Sequence, residues 1–156
     1  WVHRDIKPDN FLVTDEGEVK LIDFALAKRR KTGLAKWLTP RMKVQQGTKS
    51  YMSPEQIRGQ PLDQRSDLYS FACTIHELVS GKPPFTGTSV NDLLNKHLRT
   101  SPPSLEAVNP NVMPAFGQLL RRAMAKKASA RPETVGDFLR EFRMIRVFRS
   151  IPTVKS

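Results

Sequence analysis

The apolar positions of this chain change their period along its length, and each change marks an element. Phe11-Leu12-Val13 and Val19-Lys20-Leu21-Ile22 are short β-type runs separated by the turn-forming Asp15-Glu16-Gly17, which predicts a small hairpin over 11–13 and 19–22. Residues 28–50 show no clean period and contain Gly33, Pro40 and Gly47, which predicts a long loop, a length that is usually functional or disordered. From Ser66 the spacing turns helical: Leu68, Phe71, Ala72, Ile75, Leu78 and Val79 share one face, and Gly81 ends it. Ser89 with Asp92 predicts the capped start of a helix whose apolar face is Val90, Leu93, Leu94 and Leu98. Four prolines in 101–114 predict a connector. Phe116, Leu119, Leu120, Ala123 and Met124 mark another helix, and the last begins near Thr134 and carries Val135, Phe138, Leu139, Phe142 and Ile145. The tail from Pro152 is expected to fray. The sum is a mostly helical domain with one hairpin near its front.

Composition narrows the class without choosing a function. The 156 residues suffice for one domain, and 38% hydrophobic with 26% charged residues is an ordinary globular balance. A net charge of +11 favours anionic partners such as nucleotides, phosphoproteins, nucleic acid or anionic lipid. Cys73 is the only cysteine and sits in an apolar helical stretch, so no internal disulfide forms and a buried, inert thiol is expected. A reducing compartment, the cytoplasm, fits. No apolar run reaches the ~20 residues that span a bilayer, and no signal peptide opens the chain. The first residue is Trp1 and a motif begins at His3; this start reads as a break inside a longer protein, which could carry a membrane anchor elsewhere.

The chemistry is concentrated around the hairpin. His3-Arg4-Asp5-Ile6-Lys7-Pro8-Asp9-Asn10 precedes it and Asp23-Phe24 closes it. Together they resemble the H-R-D-x-x-x-x-N and D-F-G signatures of the Hanks-type protein kinases. Later residues extend the resemblance to about residue 145: Met52-Ser53-Pro54-Glu55-Gln56 stands where that family carries A-P-E, and Pro83-Pro84-Phe85, Asn109-Pro110 and Ala130-Arg131-Pro132 follow. The wording is most similar to that of bacterial eukaryotic-like serine/threonine kinases. The implied fold is α+β, the kinase C-terminal lobe, mostly α-helical with a small β-hairpin at the catalytic loop. Residues 1–149 would form that lobe, 23–55 its activation segment and 150–156 a frayed tail. The N-terminal lobe, with its glycine-rich loop, strand lysine and helix glutamate, would lie outside these residues. The parent's missing lobe is thus an expected partner, along with proteins bearing serine or threonine.

The resemblance also implies roles, and phosphoryl transfer explains the residue types. The reaction needs a carboxylate near the attacking hydroxyl, metal ions bridging phosphate oxygens, and positive charge where negative charge accumulates. Asp5 would orient the hydroxyl and accept its proton, Lys7 would reach the transferring phosphate, and Thr48 would bond both. Asn10 and Asp23 would hold Mg²⁺, and Leu12 and Ile22 would line the adenine pocket of ATP. Arg4 resembles the arginine that binds a phosphorylated activation loop, a role suited to a bidentate guanidinium. Glu55 would pair with Arg131, and Asp67 would accept backbone donors from the catalytic loop. His3 reads as a packed structural histidine.

Two features depart from the family pattern or extend it. Ala25 stands where glycine is expected; alanine tolerates backbone flips poorly, so restricted flipping is expected there, without loss of metal binding by Asp23. Between Asp23 and Glu55 lie eight basic residues and no acidic one. Phosphorylation of Thr39 or Thr32, paired by Arg4 and nearby lysines, would order such a loop; a preference for acidic substrates or a plain solvated loop are the other readings.

Three functional classes follow: an active kinase of which this is a part, a pseudokinase or scaffold without turnover, and a basic nucleic-acid-binding module. Intact Asp5, Lys7, Asn10 and Asp23 favour the first over the second. No base-stacking aromatic set accompanies Lys28-Arg29-Arg30-Lys31, which disfavours the third. The 156 residues alone are expected neither to bind ATP tightly nor to phosphorylate.

Overall fold

The computed structural model describes residues 1–29 and 47–151. The hairpin pairs β1 (Phe11–Val13) with β2 (Val19–Leu21) antiparallel, in the register Phe11 with Leu21 and Val13 with Val19. Ile22 N–H donates to Asn10 O at 2.9 Å and continues the ladder to the hairpin's base. Gly17 makes the turn possible: its φ of 82° is left-handed, a region glycine enters without steric cost. Phe11 turns inward and meets the Phe71 ring at 6.2 Å between centroids, which fixes the hairpin to the helical body.

Among the described residues six α-helices build that body. The short α1 (Pro54–Ile57) leads into α2 (Gln64–Ser80), the central helix. Asp63 caps the start of α2 by accepting from Arg65 N at 2.9 Å, and Gly81, at φ 77°, ends it with its N–H on Glu77 O. Helix α3 (Val90–Arg99) begins at Ser89, whose hydroxyl accepts from Asp92 N, while Asp92 returns the bond to Thr88 N rather than to Ser89. Ahead of it, a Cβ on Gly87 would lie 2.5 Å from Leu93 N, so only glycine fits there unstrained.

The connector expected over 101–114 is not featureless. Ser104 caps a one-turn helix, α4 (Leu105–Val108), that plants Leu105 in the core. One buried leucine sets no period, so apolar spacing could not reveal it. Helices α5 (Pro114–Ala123) and α6 (Val135–Arg143) follow, the latter opened by a capping box between Thr134 and Asp137. The core joins Leu68, Tyr69, Ala72 and Cys73 of α2 to Phe116, Leu119 and Leu120 of α5 and Phe138 of α6. Each such large side chain withdrawn from water contributes about 1.5–3 kcal/mol.

Other differences lie at the edges. The loop expected over 28–50 is structured at both ends: Lys28 pairs with Val2 in an isolated bridge, and Gly47–Tyr51 is a 3-10 turn. Ser150, assigned to the tail, is held by Asn111 through three hydrogen bonds of 2.9–3.0 Å, and Val112 bridges Phe148 beside it. Leu78, placed on the apolar face of α2, is 67% exposed. No helix among the described residues is long and apolar enough to cross a membrane.

Candidate active site

The loop from Val2 to Asn10 is gripped from below by α2. Asp67, in its first turn, accepts from His3 N at 2.7 Å and Arg4 N at 2.8 Å. Burial pushes the Asp67 carboxyl above its usual range, and these backbone donors hold the rise in check. The grip matters because Arg4 has a φ of 74°, a left-handed conformation that costs a non-glycine residue about 1–3 kcal/mol. On its other side Arg4 O accepts from Gln56 Nε2 at 2.9 Å. Burial lowers the Arg4 guanidinium pKa, partly offset by the Asp67 charge.

Past Arg4 the chain presents Asp5, buried, with its two oxygens in different surroundings. Oδ2 meets Lys7 Nζ at 2.9 Å and Asn10 Nδ2 at 3.2 Å. Asn10 Nδ2 also donates to Asp5 O at 2.7 Å, which locks the amide and turns its oxygen away from Asp5. Asp5 Oδ1 is buried and has no hydrogen-bond partner among the described residues. A buried acceptor left without a partner costs about 1–3 kcal/mol, a cost that an incoming donor would remove.

Asp23 stands at the other side of the hairpin's base. The Asn10–Ile22 bond sets the two strands' ends level, so Asn10 and Asp23 leave the hairpin at the same edge. His3 ties this edge to the loop: its Nε2 lies 3.2 Å from Ile22 O, and its ring meets Phe24 edge-on at 4.8 Å. The Asp23 carboxylate is exposed, with Oδ1 accepting Ala25 N–H at 3.3 Å. The left-handed φ falls on Asp23, at 61°, and not on Ala25, so alanine is unstrained in this conformation.

An amide oxygen and a carboxylate are hard donors that suit Mg²⁺, which keeps waters and completes its octahedron from phosphate oxygens. No cluster of three or more histidine, cysteine, aspartate or glutamate side chains able to hold a metal occurs among the described residues. Leu12 and Ile22, 52% and 37% exposed, form an open apolar ledge rather than an enclosed pocket.

Below the loop, Arg131 donates to Glu55 Oε1 at 2.6 Å and Oε2 at 2.8 Å, to Arg65 O at 2.7 Å and to Ala125 O at 2.8 Å. Ser66 Oγ adds a 2.7 Å bond to Glu55. The structure thus brings together Asp5, Lys7 and Asn10, joins Arg4 to Asp67, and pairs Glu55 with Arg131. Thr32 and Thr39 lie outside the described residues, as does the Thr48 side chain.

Sequence reasoning passed over several contacts. Tyr51 OH donates to Glu77 at 2.5 Å and links the 3-10 turn to α2. His97 is wholly buried, with Nδ1 2.9 Å from Tyr69 OH; burial, helped by Lys126, pushes its pKa down to about 4. Gln56 was absent from the expected site. Its local signal was the Ser53-x-x-Gln56 spacing of a capping box.

Known proteins share this arrangement of sequence. Residues 1–141 match the family described as the protein kinase domain. The chain is 38% identical over 139 residues to a probable serine/threonine-protein kinase PknB of Bifidobacterium longum, covering 88% of this chain and 20% of that protein. It is 39% identical over 130 residues to the serine/threonine-protein kinase PknL of Mycobacterium tuberculosis, covering 83% of this chain and 32% of that protein. It therefore spans between a fifth and a third of the length of these relatives.

Proposed function

The chain belongs to the protein kinase family, and from that premise we propose that the protein carrying it transfers the γ-phosphoryl group of ATP to serine or threonine hydroxyls of other proteins. The supporting observation is the Asp5 carboxylate. One oxygen is engaged by Lys7 and Asn10; the other is buried without a partner among the described residues. Such an oxygen suits a substrate hydroxyl: it would orient the O–H and take its proton as the oxygen attacks. Lys7, held against Asp5, supplies positive charge beside the reacting centre. Asn10 and Asp23 would hold Mg²⁺ at the hairpin's base, and the ledge of Leu12 and Ile22 would lie beneath the adenine. Bound there, Mg·ATP supplies the phosphoryl group and neutralises the charge that builds on its oxygens.

Because Leu12 and Ile22 are open, the 156 residues by themselves are proposed not to hold ATP tightly and not to turn over. A second lobe would cover that ledge in the working enzyme. A cytoplasmic setting for the catalytic residues, with proteins rather than nucleic acid as partners, completes the reading.

The test is phosphate transfer from radiolabelled ATP to serine- and threonine-containing proteins, using the full-length protein and its Asp5→Asn variant. We expect magnesium-dependent incorporation that falls by about 10²–10⁴ in the variant, with the thermal midpoint little changed. Full incorporation by Asp5→Asn would refute the role of Asp5. A folded full-length protein without turnover would leave a pseudokinase.

A further inference from the structure

Helix α1 touches the catalytic loop through a side chain with two unlike ends. Gln56 Oε1 faces its own helix start, accepting from Ser53 N at 2.9 Å and Ser53 Oγ at 3.0 Å. Ser53 Oγ in turn accepts from Gln56 N at 3.4 Å, which completes a capping box. With its oxygen so committed, the amide can present only its NH₂ to the other side. There it donates to Arg4 O at 2.9 Å, across 52 residues of chain.

That carbonyl belongs to the peptide leading into Asp5. Arg4 is left-handed, so its peptide groups take an orientation the chain would not choose unaided. Asp67 holds the N–H on one side of this residue, and Gln56 holds the C=O on the other. Loss of the Gln56 donor would let the Arg4–Asp5 peptide rotate and swing Oδ1 off its line. Arg4, Asp5 and Gln56 also line one narrow crevice with Tyr51 and Met52, where loop and activation segment face each other.

We propose that Gln56 is a positioning residue: it fixes the direction of the Asp5 carboxylate and makes that direction depend on whether α1, at the end of the activation segment, is formed. This rests on the kinase reading above. The two bonds can be separated, because the capping box needs an acceptor at residue 56 whereas the catalytic loop needs a donor. Gln56→Glu keeps the acceptor and removes the donor; Ser53→Ala weakens the box and keeps the donor.

Steady-state phosphotransfer by the full-length protein distinguishes the outcomes. Gln56→Glu should lower kcat roughly 10- to 100-fold, the scale of a misaligned reacting group, with KM for ATP changed less than about twofold. Its kcat relative to the parent should recover as pH falls, because a protonated glutamic acid again offers a donor to Arg4 O. Ser53→Ala should lower the melting temperature and leave kcat near the parent value. Should Gln56→Glu not fold, Gln56→Met removes donor and acceptor together, and its kcat is read against Ser53→Ala, which weakens the box but keeps the donor. A parent enzyme without turnover would defeat the kinase reading itself. An active parent whose Gln56→Glu variant matches it in kcat, or whose loss is the same at every pH, would overturn the role of Gln56.

Discussion

Removing the Arg131 guanidinium should be the most damaging single truncation away from the reacting groups. Its side chain is 0% exposed and makes four charge-assisted bonds, two to Glu55 and one each to the Arg65 and Ala125 carbonyls, while stacking over Tyr69 at 4.9 Å. Arg131→Ala strands the Glu55 carboxylate with Ser66 Oγ as its remaining side-chain donor. Stranding a buried partner costs about 3–5 kcal/mol, and the two part-buried carbonyls that also lose their donor add to that loss. Against a domain stability of about 5–15 kcal/mol that is a large share.

The loss should depend on pH in a defined direction. In the intact pair, burial pushes the Glu55 carboxyl up, but the Arg131 hydrogen bonds and charge, with the Ser66 hydroxyl, outweigh it and hold the pKa below its usual value. A depressed folded-state pKa contributes stability that is present above about pH 4.3, the unfolded value, and disappears as pH falls through the folded value. Without Arg131 the burial effect dominates and the sign reverses: the penalty is full at neutral pH and fades as Glu55 takes up a proton. Urea unfolding followed by circular dichroism at pH 7 and pH 4 measures both effects. A loss under about 1 kcal/mol at pH 7, or an equal loss at both pH values, would refute the reasoning. The Glu55→Gln/Arg131→Met double variant should recover part of the stability, since no buried charge remains.

Two further predictions concern packing. Burial pushes the Cys73 thiol well above its usual pKa, so a disulfide reagent at pH 8 should leave it unmodified in native protein and label it fully in urea; rapid native labelling would contradict its place in the core. Gly87→Ala sets a Cβ against the Leu93 backbone and should lower stability by about 1–3 kcal/mol, seen as a reduced melting temperature; an unchanged melt would show that the start of α3 yields freely.

Legibility differed between local and distant structure. The hairpin was readable because two apolar runs flank Asp15-Glu16-Gly17, and Gly17 does take the left-handed conformation that such a turn requires. Gly81 as the stop of α2 and Ser89 as the start of α3 were readable for the same reason: each acts within one turn of its own position. Helices α1 and α4, four residues each, are shorter than any apolar period and were invisible to it. The resemblance to kinases supplied Asp5, Lys7, Asn10 and Asp23, which no periodicity could have singled out. It gave Gln56 no role, although that residue's bond to Arg4 joins positions 52 apart while its amide oxygen is occupied elsewhere.

The Glu55–Arg131 pair spans 76 residues, and that separation has a bearing on birth of the protein. At synthesis rates of about 5–20 residues per second, the glutamate leaves the ribosome roughly 4–15 s before its arginine does. Throughout that interval Glu55 lacks its guanidinium partner, and Ser66 Oγ is the side-chain donor already available to it. The ion pair that buries Glu55 is therefore completed late, by a residue far downstream of the loop it supports.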